Sequence, residues 1–382
     1  MLRFIPYIFP ILVNYVLGGM FFITSLRCSL ASAPGWVVGA TTSTWALIYS
    51  IVSFLMSSRV TAGNAAKLII TGGLLITLSS LGFLLFPGVY TQFIWIFIAG
   101  AAGAIYCTSF QIFAKAIEKD QNSGVSRASG LYTASWSIGM ATGPFIFGFL
   151  PIAASFMINA VIGLMIAAGI FLISRKVELQ DFSVSTAAAD GGTVQQTSAN
   201  PDMVLAGWII GGVGTITVFV LRTLVPYRAA LLDFSRADAG SVLAIVSYTQ
   251  AAAALLLMLS KDFMYRIIPV IAAGTAGIIS LLILGFCNSL AAFIFAAVLY
   301  GCYSGYVYFM FVYHSLISPL KSTRYVAINE IIVGITGTVG PFAGGLMSSP
   351  QNSGTAFLAA ACICAASVAA TVIYFAKNGQ KL

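Results

Sequence analysis

The chain has 382 residues, of which 59% are hydrophobic and only 7% are charged. Such a composition leaves too little polar surface to cover a soluble globule, so it indicates a membrane protein. The formal net charge of +8 would be compatible with nucleic-acid binding in a soluble chain, so the placement of the basic residues decides its meaning.

Apolar runs of about 20 residues, the length a helix needs to cross roughly 30 Å of hydrocarbon, follow one another along the chain. A transmembrane β-barrel would instead show short alternating segments. The first run is too long for a signal peptide, so we interpret it as a retained helix. Twelve helices are predicted near 4–26, 36–57, 68–87, 91–113, 128–150, 152–174, 203–223, 239–260, 267–287, 290–312, 326–348 and 355–376.

The basic residues are distributed unevenly between the two sides that these helices define. If both termini are cytoplasmic, only Arg27, Arg222, Arg228 and Arg236 lie on or near the outer side, and the other fourteen Lys and Arg residues lie inside. This bias predicts an integral protein of the cytoplasmic (plasma, or inner) membrane with both termini in the cytoplasm. It also accounts for the net charge without nucleic acid.

Six cysteines lie mostly inside the predicted helices, with no spacing typical of a metal site. We therefore expect free, packed thiols and no metal or other cofactor.

Two stretches of the chain repeat one design at an ungapped offset of 197 residues. Arg127 precedes Gly143-Pro144 as Arg324 precedes Gly340-Pro341, and the same offset brings Tyr106 onto Tyr303. A polar, structureless segment separates the halves. We predict a six-helix bundle at 1–174, a cytoplasmic linker at 175–202 and a second six-helix bundle at 203–382.

Polar and aromatic residues in the middle of these helices predict a cavity between the bundles. Asn14 is interpreted either as a hydrogen-bonding contact to a neighbouring helix or as a solute contact. Tyr303 and Tyr306 lie mid-segment, where an interfacial tyrosine belt does not reach, so we expect them to face water. The predicted wall consists of Asn14, Trp45, Tyr106, Tyr132, Trp136, Tyr248, Gln250, Tyr303, Tyr306 and Asn329.

Arg27 and Arg222 lie at the predicted outer ends of helices 1 and 7. An arginine there either extends to the lipid headgroups or attracts an anionic solute.

Glu330 is the one carboxylate within a predicted span, about 9 Å along helix 11 from Arg324. A charge there is costly unless it is paired or protonated. Three interpretations stay open: a lock in which Glu330 pairs with Arg59, a proton carrier that couples solute movement to a proton gradient, and a satisfied neutral acid.

Twelve helices, a central linker and a parallel repeat of six resemble the major facilitator superfamily over essentially the whole chain. In helix 5, Gly130, Gly139, Gly143, Pro144 and Gly148 are similar to the motif G-x8-G-x3-G-P-x2-G-G of the family's drug/proton antiporters, with Phe147 replacing one glycine. Helix 11 repeats the last part as Gly340, Pro341, Gly344 and Gly345.

The resemblance implies that these glycines let helices 5 and 11 pack closely against the opposite bundle and help control opening. The family's second motif, G-x-x-x-D-R-x-G-R-R, is degraded here: Arg59 and Lys67 represent its bases, but Ser58 stands where the acid belongs. This loss motivates the hypothesis that an Arg59 to Glu330 pair replaces the usual inner gate.

We therefore expect a monomeric secondary transporter that moves a small amphipathic or polar solute by alternating access, with export by proton antiport favoured by the helix 5 motif. Uptake of a sugar-like or carboxylated nutrient, with Arg27 and Arg222 recruiting it, is the alternative. A non-transporting sensor or scaffold with the same fold is a third possibility. No phosphate-binding loop or His-Glu-x-x-His motif is present, so we do not expect an enzyme.

Overall fold

A computed structural model describes residues 5–117, 125–175, 203–259, 262–316 and 322–377. Most of the predicted linker lies outside these ranges. The described residues form twelve long α-helices and one short 3₁₀ turn at Asp262–Tyr265. The helices are α1 Ile5–Leu30, α2 Gly35–Ser57, α3 Ala62–Leu85, α4 Gln92–Ile117, α5 Val125–Phe149, α6 Ile152–Ser174, α7 Val204–Leu231, α8 Arg236–Leu257, α9 Ile267–Phe286, α10 Leu290–Leu316, α11 Ser322–Met347 and α12 Thr355–Lys377.

By length and composition, 11 of the described helices are apolar enough to cross a membrane. The exception is α5, which is rich in Ser, Thr and Gly along its first four turns. Its environment explains this composition, because α5 packs mainly against α1 on one side and α8 on the other. A helix enclosed by protein needs less apolar surface than one that faces lipid. We refer to the side where α1 begins as the predicted cytoplasmic side.

Equivalent hydrogen bonds in the two halves reveal the repeat at an offset of 201 residues. The Ser79 hydroxyl donates to the backbone oxygen of Trp95 at 2.9 Å, and the Ser280 hydroxyl donates to that of Ala296 at 2.7 Å. Two glycine contacts show the same offset. A Cβ on Gly100 would meet α2 at Trp45 and Ile48, and a Cβ on Gly301 would meet α8 at Val246 and Thr249.

The offset of 197 applies to α5 and α11. Gly139 faces Asn14 of α1, and Thr336, which is 197 residues later, hydrogen-bonds Thr215 of α7 at 2.8 Å. The second half is therefore four residues shorter between α10 and α11. The expected equivalence of Tyr106 and Tyr303 was wrong for this reason, since the position equivalent to Tyr106 at the offset of 201 is Val307.

Two long seams join the first bundle (α1–α6) to the second (α7–α12): α2 packs on α11, and α5 packs on α8. At the α5–α8 seam, Arg236 donates to the backbone oxygens of Gly148 and Leu150 at 3.1 and 2.6 Å. At the α2–α11 seam, the Ser43 hydroxyl donates to the backbone oxygen of Thr338 at 2.6 Å. Both seams therefore combine close backbone approach with polar contacts.

Glycines permit this approach where the backbones of opposite bundles touch. A Cβ on Gly39 of α2 would overlap the carbonyl group of Pro341 in α11, and one on Gly345 of α11 would lie 3.0 Å from the Cα atom of Gly39. A side chain at either position has no flexible neighbour to displace, because the obstacle is backbone. The α2–α11 seam therefore requires glycine, which has no Cβ, at these two positions.

We expect Gly39→Ala to lower the thermal unfolding temperature of the purified protein, because the added methyl group forces α2 and α11 apart. Gly63→Ala is the matched control, since a Cβ there meets only the Thr61 hydroxyl at 4.0 Å and replacing a helical glycine by alanine is favourable by about 1 kcal/mol. Equal unfolding temperatures for the two variants would contradict the close contact.

Candidate functional site

Arg222 occupies the centre of the fold and not a helix end. The sequence placed it at the end of helix 7, but α7 continues through Pro226 to Leu231, so Arg222 lies about 14 Å before that end. Its side chain is only 7% exposed. The Arg222 side chain therefore does not extend to the lipid headgroups in this structure.

Aromatic and small residues from both bundles surround the Arg222 guanidinium. Its Cζ atom lies 5.5 Å from the ring centroid of Trp136 in α5, within cation–π distance. Trp136 in turn makes an edge contact with Tyr308 of α10, with ring centroids 4.9 Å apart. A small cavity beside the guanidinium is lined by Gly18, Phe21, Met140, Pro144, Arg222, Leu243 and Ser247.

The guanidinium of Arg222 donates no hydrogen bond to any described residue, and its Nη2 atom is buried without a partner. Arg228, two turns later on α7, is the opposite case. Its Nη1 atom donates to the Ser353 hydroxyl at 2.9 Å, and its Nη2 atom donates to Asn288 at 2.9 Å and to two backbone oxygens that end α9. Arg228 is thus a structural clamp, whereas Arg222 points its charge into an inter-bundle space.

Arg27 resembles Arg228 and not Arg222. Its Nη1 atom donates to the backbone oxygen of Phe83, in the last turn of α3, at 3.1 Å, and its guanidinium lies 4.9 Å from the Phe156 ring centroid. Arg27 and Arg228 differ by the repeat offset of 201, and each ties the first helix of its bundle to the C-terminal end of the third. In this structure Arg27 therefore has a structural role.

Glu330 lies in the α2–α11 seam and contacts the first bundle. The Tyr49 hydroxyl of α2 donates to Glu330 Oε2 at 3.1 Å. Tyr132 of α5 and Cys107 of α4 also lie near the carboxyl group. Glu330 thus belongs to a cluster of groups that can each carry a proton.

The expected Arg59 to Glu330 ion pair is not formed. Arg59 lies two residues beyond the end of α2 with an exposed side chain, whereas Glu330 is held at Tyr49, ten residues earlier. Ten helical residues span about 15 Å, which is too far for an ion pair. Arg59 is therefore not the partner that a lock at Glu330 requires.

The two interior charges lie at different depths. Thr223, next to Arg222, donates a hydrogen bond to Thr42 of α2 at 2.8 Å. Thr42 precedes Tyr49 by seven residues, or about 10 Å of helix. Glu330 is therefore about 10 Å nearer the predicted cytoplasmic side than Arg222.

Three predicted wall residues lie inside the second bundle, so their assignment to the wall is corrected. Tyr303 is fully buried against Gly277 of α9, and Tyr306 is 4% exposed beside Phe263. Asn329 accepts hydrogen bonds from Trp208 and Ser315, at 2.9 and 3.0 Å. All three side chains contact neighbours within their own bundle.

The predicted residues of the first bundle have mixed surroundings. The Asn14 amide donates to the backbone oxygen of Pro10 at 2.8 Å, so it is satisfied within α1. Trp45 stacks on Tyr49 with ring centroids 4.9 Å apart, and Tyr106 stacks on Phe110 at 5.3 Å. The Trp45 Nε1 and Tyr106 hydroxyl groups are buried without a partner. Trp45 therefore supports the Tyr49–Glu330 contact from behind.

Gln250 and Tyr248 join α8 to α5 instead of lining a cavity. Gln250 Nε2 donates to the Ser137 hydroxyl at 2.6 Å in a fully buried contact. The Tyr248 and Thr142 hydroxyls are 2.9 Å apart, and Tyr248 is 42% exposed. These residues contribute polar contacts to the α5–α8 seam.

The motif glycines divide between two neighbours, which corrects the expectation that all of them face the opposite bundle. Gly130 and Gly148 of α5 do face α8, and Gly345 of α11 faces α2. The remaining glycines face the first helix of their own bundle: Gly139 and Gly143 meet α1, and Gly340 and Gly344 meet α7. Pro144 and Pro341 present their carbonyl groups to Gly240 and Gly39 across the seams.

Sequence reasoning did not assign Tyr49, Tyr308 or Cys107 to the site, although all three contribute to it. The signal that was available for Tyr49 is its spacing of one helical turn from Trp45, which places both on one face.

A double-mutant cycle on Ser137 and Gln250 tests whether the α5–α8 seam holds a net stabilising hydrogen bond. We expect Ser137→Ala and Gln250→Ala to be coupled by about 0.6 kcal/mol, and by no more than about 1.7 kcal/mol, typical of membrane hydrogen bonds. Unfolding free energies in micelles supply the measurement. Ser137→Ala combined with Gln92→Ala, whose side chain contacts Cys28, is the additive control; an additive Ser137/Gln250 pair would contradict the bond.

No family model matches the sequence, and no curated protein is similar enough to be matched. Solved structures do match along almost the entire chain. A point mutant of the nucleoside transporter NupG is 11% identical with a TM-score of 0.67, and the match covers 100% of each chain. The human organic anion transporter MFSD10 is 12% identical with a TM-score of 0.69, over 97% of this chain and 99% of that one.

A bacterial homolog of the human lysosomal transporter Spinster, in an inward-facing and occupied conformation, is 14% identical with a TM-score of 0.64. That match covers 99% of this chain and 94% of the other. At these identities the similarity establishes the fold alone. The chain therefore has the same twelve-helix fold as these solved transporters.

Proposed function

We propose that the chain is a secondary active transporter that moves a small solute by alternating access between its bundles, coupled to protons through Glu330. The observation that carries this proposal is the Tyr49–Glu330 hydrogen bond at 3.1 Å, because it joins a titratable carboxylate of one bundle to the other. Transporters with this fold, including nucleoside and organic anion transporters, support a small solute as cargo.

Protonation of Glu330 changes the strength of the α2–α11 seam. An ionised carboxylate accepts a charge-assisted hydrogen bond from Tyr49, which is stronger than the bond that a neutral carboxyl group accepts. Ionisation therefore favours contact between Tyr49 and Glu330, and protonation makes their separation less costly. Because the two helices belong to different bundles, a proton at this position biases the equilibrium between bundle arrangements.

The direction of transport has two candidates, each favoured by a different feature. The glycine and proline pattern of α5 resembles that of drug/proton antiporters and favours export in exchange for protons. The buried, unpartnered guanidinium of Arg222 favours the second candidate, proton-coupled uptake of a carboxylated solute. In both cases we expect a monomer in the cytoplasmic membrane with cytoplasmic termini.

We expect Glu330→Gln to abolish accumulation driven by a pH gradient in proteoliposomes while leaving solute exchange at equal concentrations intact, because the amide cannot carry a proton. Asp233→Asn is the matched control. It removes the same charge from an exposed position after α7, where φ is 58° and asparagine is well tolerated. Measuring flux with the pH gradient imposed in each direction also separates export from uptake.

Unchanged pH-driven flux in Glu330→Gln would exclude proton coupling through this residue. If wild-type protein moves no solute of a broad library under any gradient, the transport proposal itself fails and a sensor or scaffold becomes the better account.

A further inference from the structure

We propose that Arg222 binds the negatively charged group of the solute, which makes the cargo an organic anion, with its apolar or aromatic part against Trp136 and Tyr308. This inference rests on the proposed transport function, but not on the direction of transport.

The guanidinium lacks the partner that its burial requires. Placing a charged group in the interior costs several kcal/mol unless it is paired, yet Arg222 is 7% exposed and makes no hydrogen bond to a described residue. Two acidic residues lie within the described spans: Asp238 accepts hydrogen bonds from Ser235 at the start of α8, and Glu330 is held by Tyr49 about 10 Å away along α2. The adjoining cavity is about the size of one water molecule in this arrangement, so an anion that enters as the bundles separate supplies the missing partner.

The internal repeat shows that the fold does not need a charge at this position. Arg27 and Arg228 are equivalent at the offset of 201, so the equivalent of Arg222 in α1 is Phe21. Phe21 lines the same cavity from the opposite bundle. The same position of the repeat therefore carries an aromatic ring in one half and a guanidinium in the other. We infer that the guanidinium serves the cavity and is not required by the fold.

The chemistry around Arg222 selects an anion with an apolar body. A guanidinium presents a planar set of donors that matches a carboxylate or phosphate, and it forms two parallel hydrogen bonds with either. Trp136, Tyr308 and Phe21 add flat apolar surface beside it. Ser247 supplies a hydroxyl group at the cavity wall.

Charge balance links this site to Glu330. With the cavity empty and Glu330 ionised, the charges of Arg222 and Glu330 cancel. With an anion on Arg222 and a proton on Glu330, these two sites together are again neutral, and Arg27 and Arg228 keep the same charge in both forms. Both neutral forms can rearrange without carrying a net charge through hydrocarbon, so an anion and a proton cross together. This favours symport of the anion with a proton over exchange of the solute for protons.

Matched acid and amide pairs test the inference on the purified full-length protein in detergent. Benzoate and benzamide, phenylacetate and phenylacetamide, and nicotinate and nicotinamide differ only in the group that Arg222 would contact. Binding is measured from the ligand-dependent rise in unfolding temperature, which follows the ratio of ligand concentration to Kd. We expect acids to stabilise the wild-type protein and their amides to have no effect.

Two variants report on Arg222 itself. Arg222→Gln should weaken acid binding by about 10- to 100-fold, the loss expected for hydrogen bonds to a charged group, without changing the response to amides. Its unfolding temperature without ligand should be unchanged or higher, because removing an unpaired buried charge offsets the loss of the cation–π contact with Trp136. Arg228→Gln is the control: it should lower the unfolding temperature by removing the clamp on α9 and keep the preference for acids.

The inference is overturned if amides stabilise the wild-type protein as well as acids do, if none of the acids stabilises it, or if Arg222→Gln binds acids normally. These outcomes differ from failure of the transport proposal. A neutral solute driven by a pH gradient would sustain transport and refute the anion site. Acid binding that depends on Arg222, in a protein that shows no flux, would support the anion site and refute the transport proposal.

Discussion

A charge inside a membrane-spanning bundle must find a partner, and this constraint organises the centre of the molecule. Arg27 and Arg228 satisfy it with the backbone oxygens that end α3 and α9, so they stabilise each bundle. Glu330 satisfies it with Tyr49 of the opposite bundle. Arg222 does not satisfy it with any described residue, and the unmet requirement is what makes a bound anion the natural completion of the site.

The seams place these charges where a change in them can act on the whole fold. Glycines let α2 approach α11 and let α5 approach α8 until backbone atoms touch. A contact without bulky side chains loses little packing when two rigid bundles tilt apart. The polar groups that remain, such as Tyr49 with Glu330, then decide which arrangement is favoured. Duplication of one six-helix unit produces the two equivalent seams. The charged groups of the site, Arg222 and Glu330, both belong to the second half.

The sequence predicted the helices and the repeat and singled out Glu330, whose role stays a prediction, because apolar runs and isolated charges are properties of one segment at a time. It misplaced Arg222 because the apolar run weakens there, although α7 continues through Pro226 to Leu231. It paired Tyr106 with Tyr303 because an ungapped offset cannot reveal four residues lost between α10 and α11. It also assigned Tyr303 to a cavity, since spacing shows which residues share a helix face but not which helix that face meets.

The central claim, that the two bundles move against each other about these seams, is tested most directly by pulsed electron paramagnetic resonance on a cysteine-free background. One spin-label pair replaces Arg127 and Leu259, at the predicted cytoplasmic ends of α5 and α8, and a second replaces Phe149 and Asp233, at the other ends. All four positions are exposed. Alternating access predicts two distances for each pair, with one pair lengthening as the other shortens when pH or solute is changed. A single, unchanging distance for both pairs would contradict it.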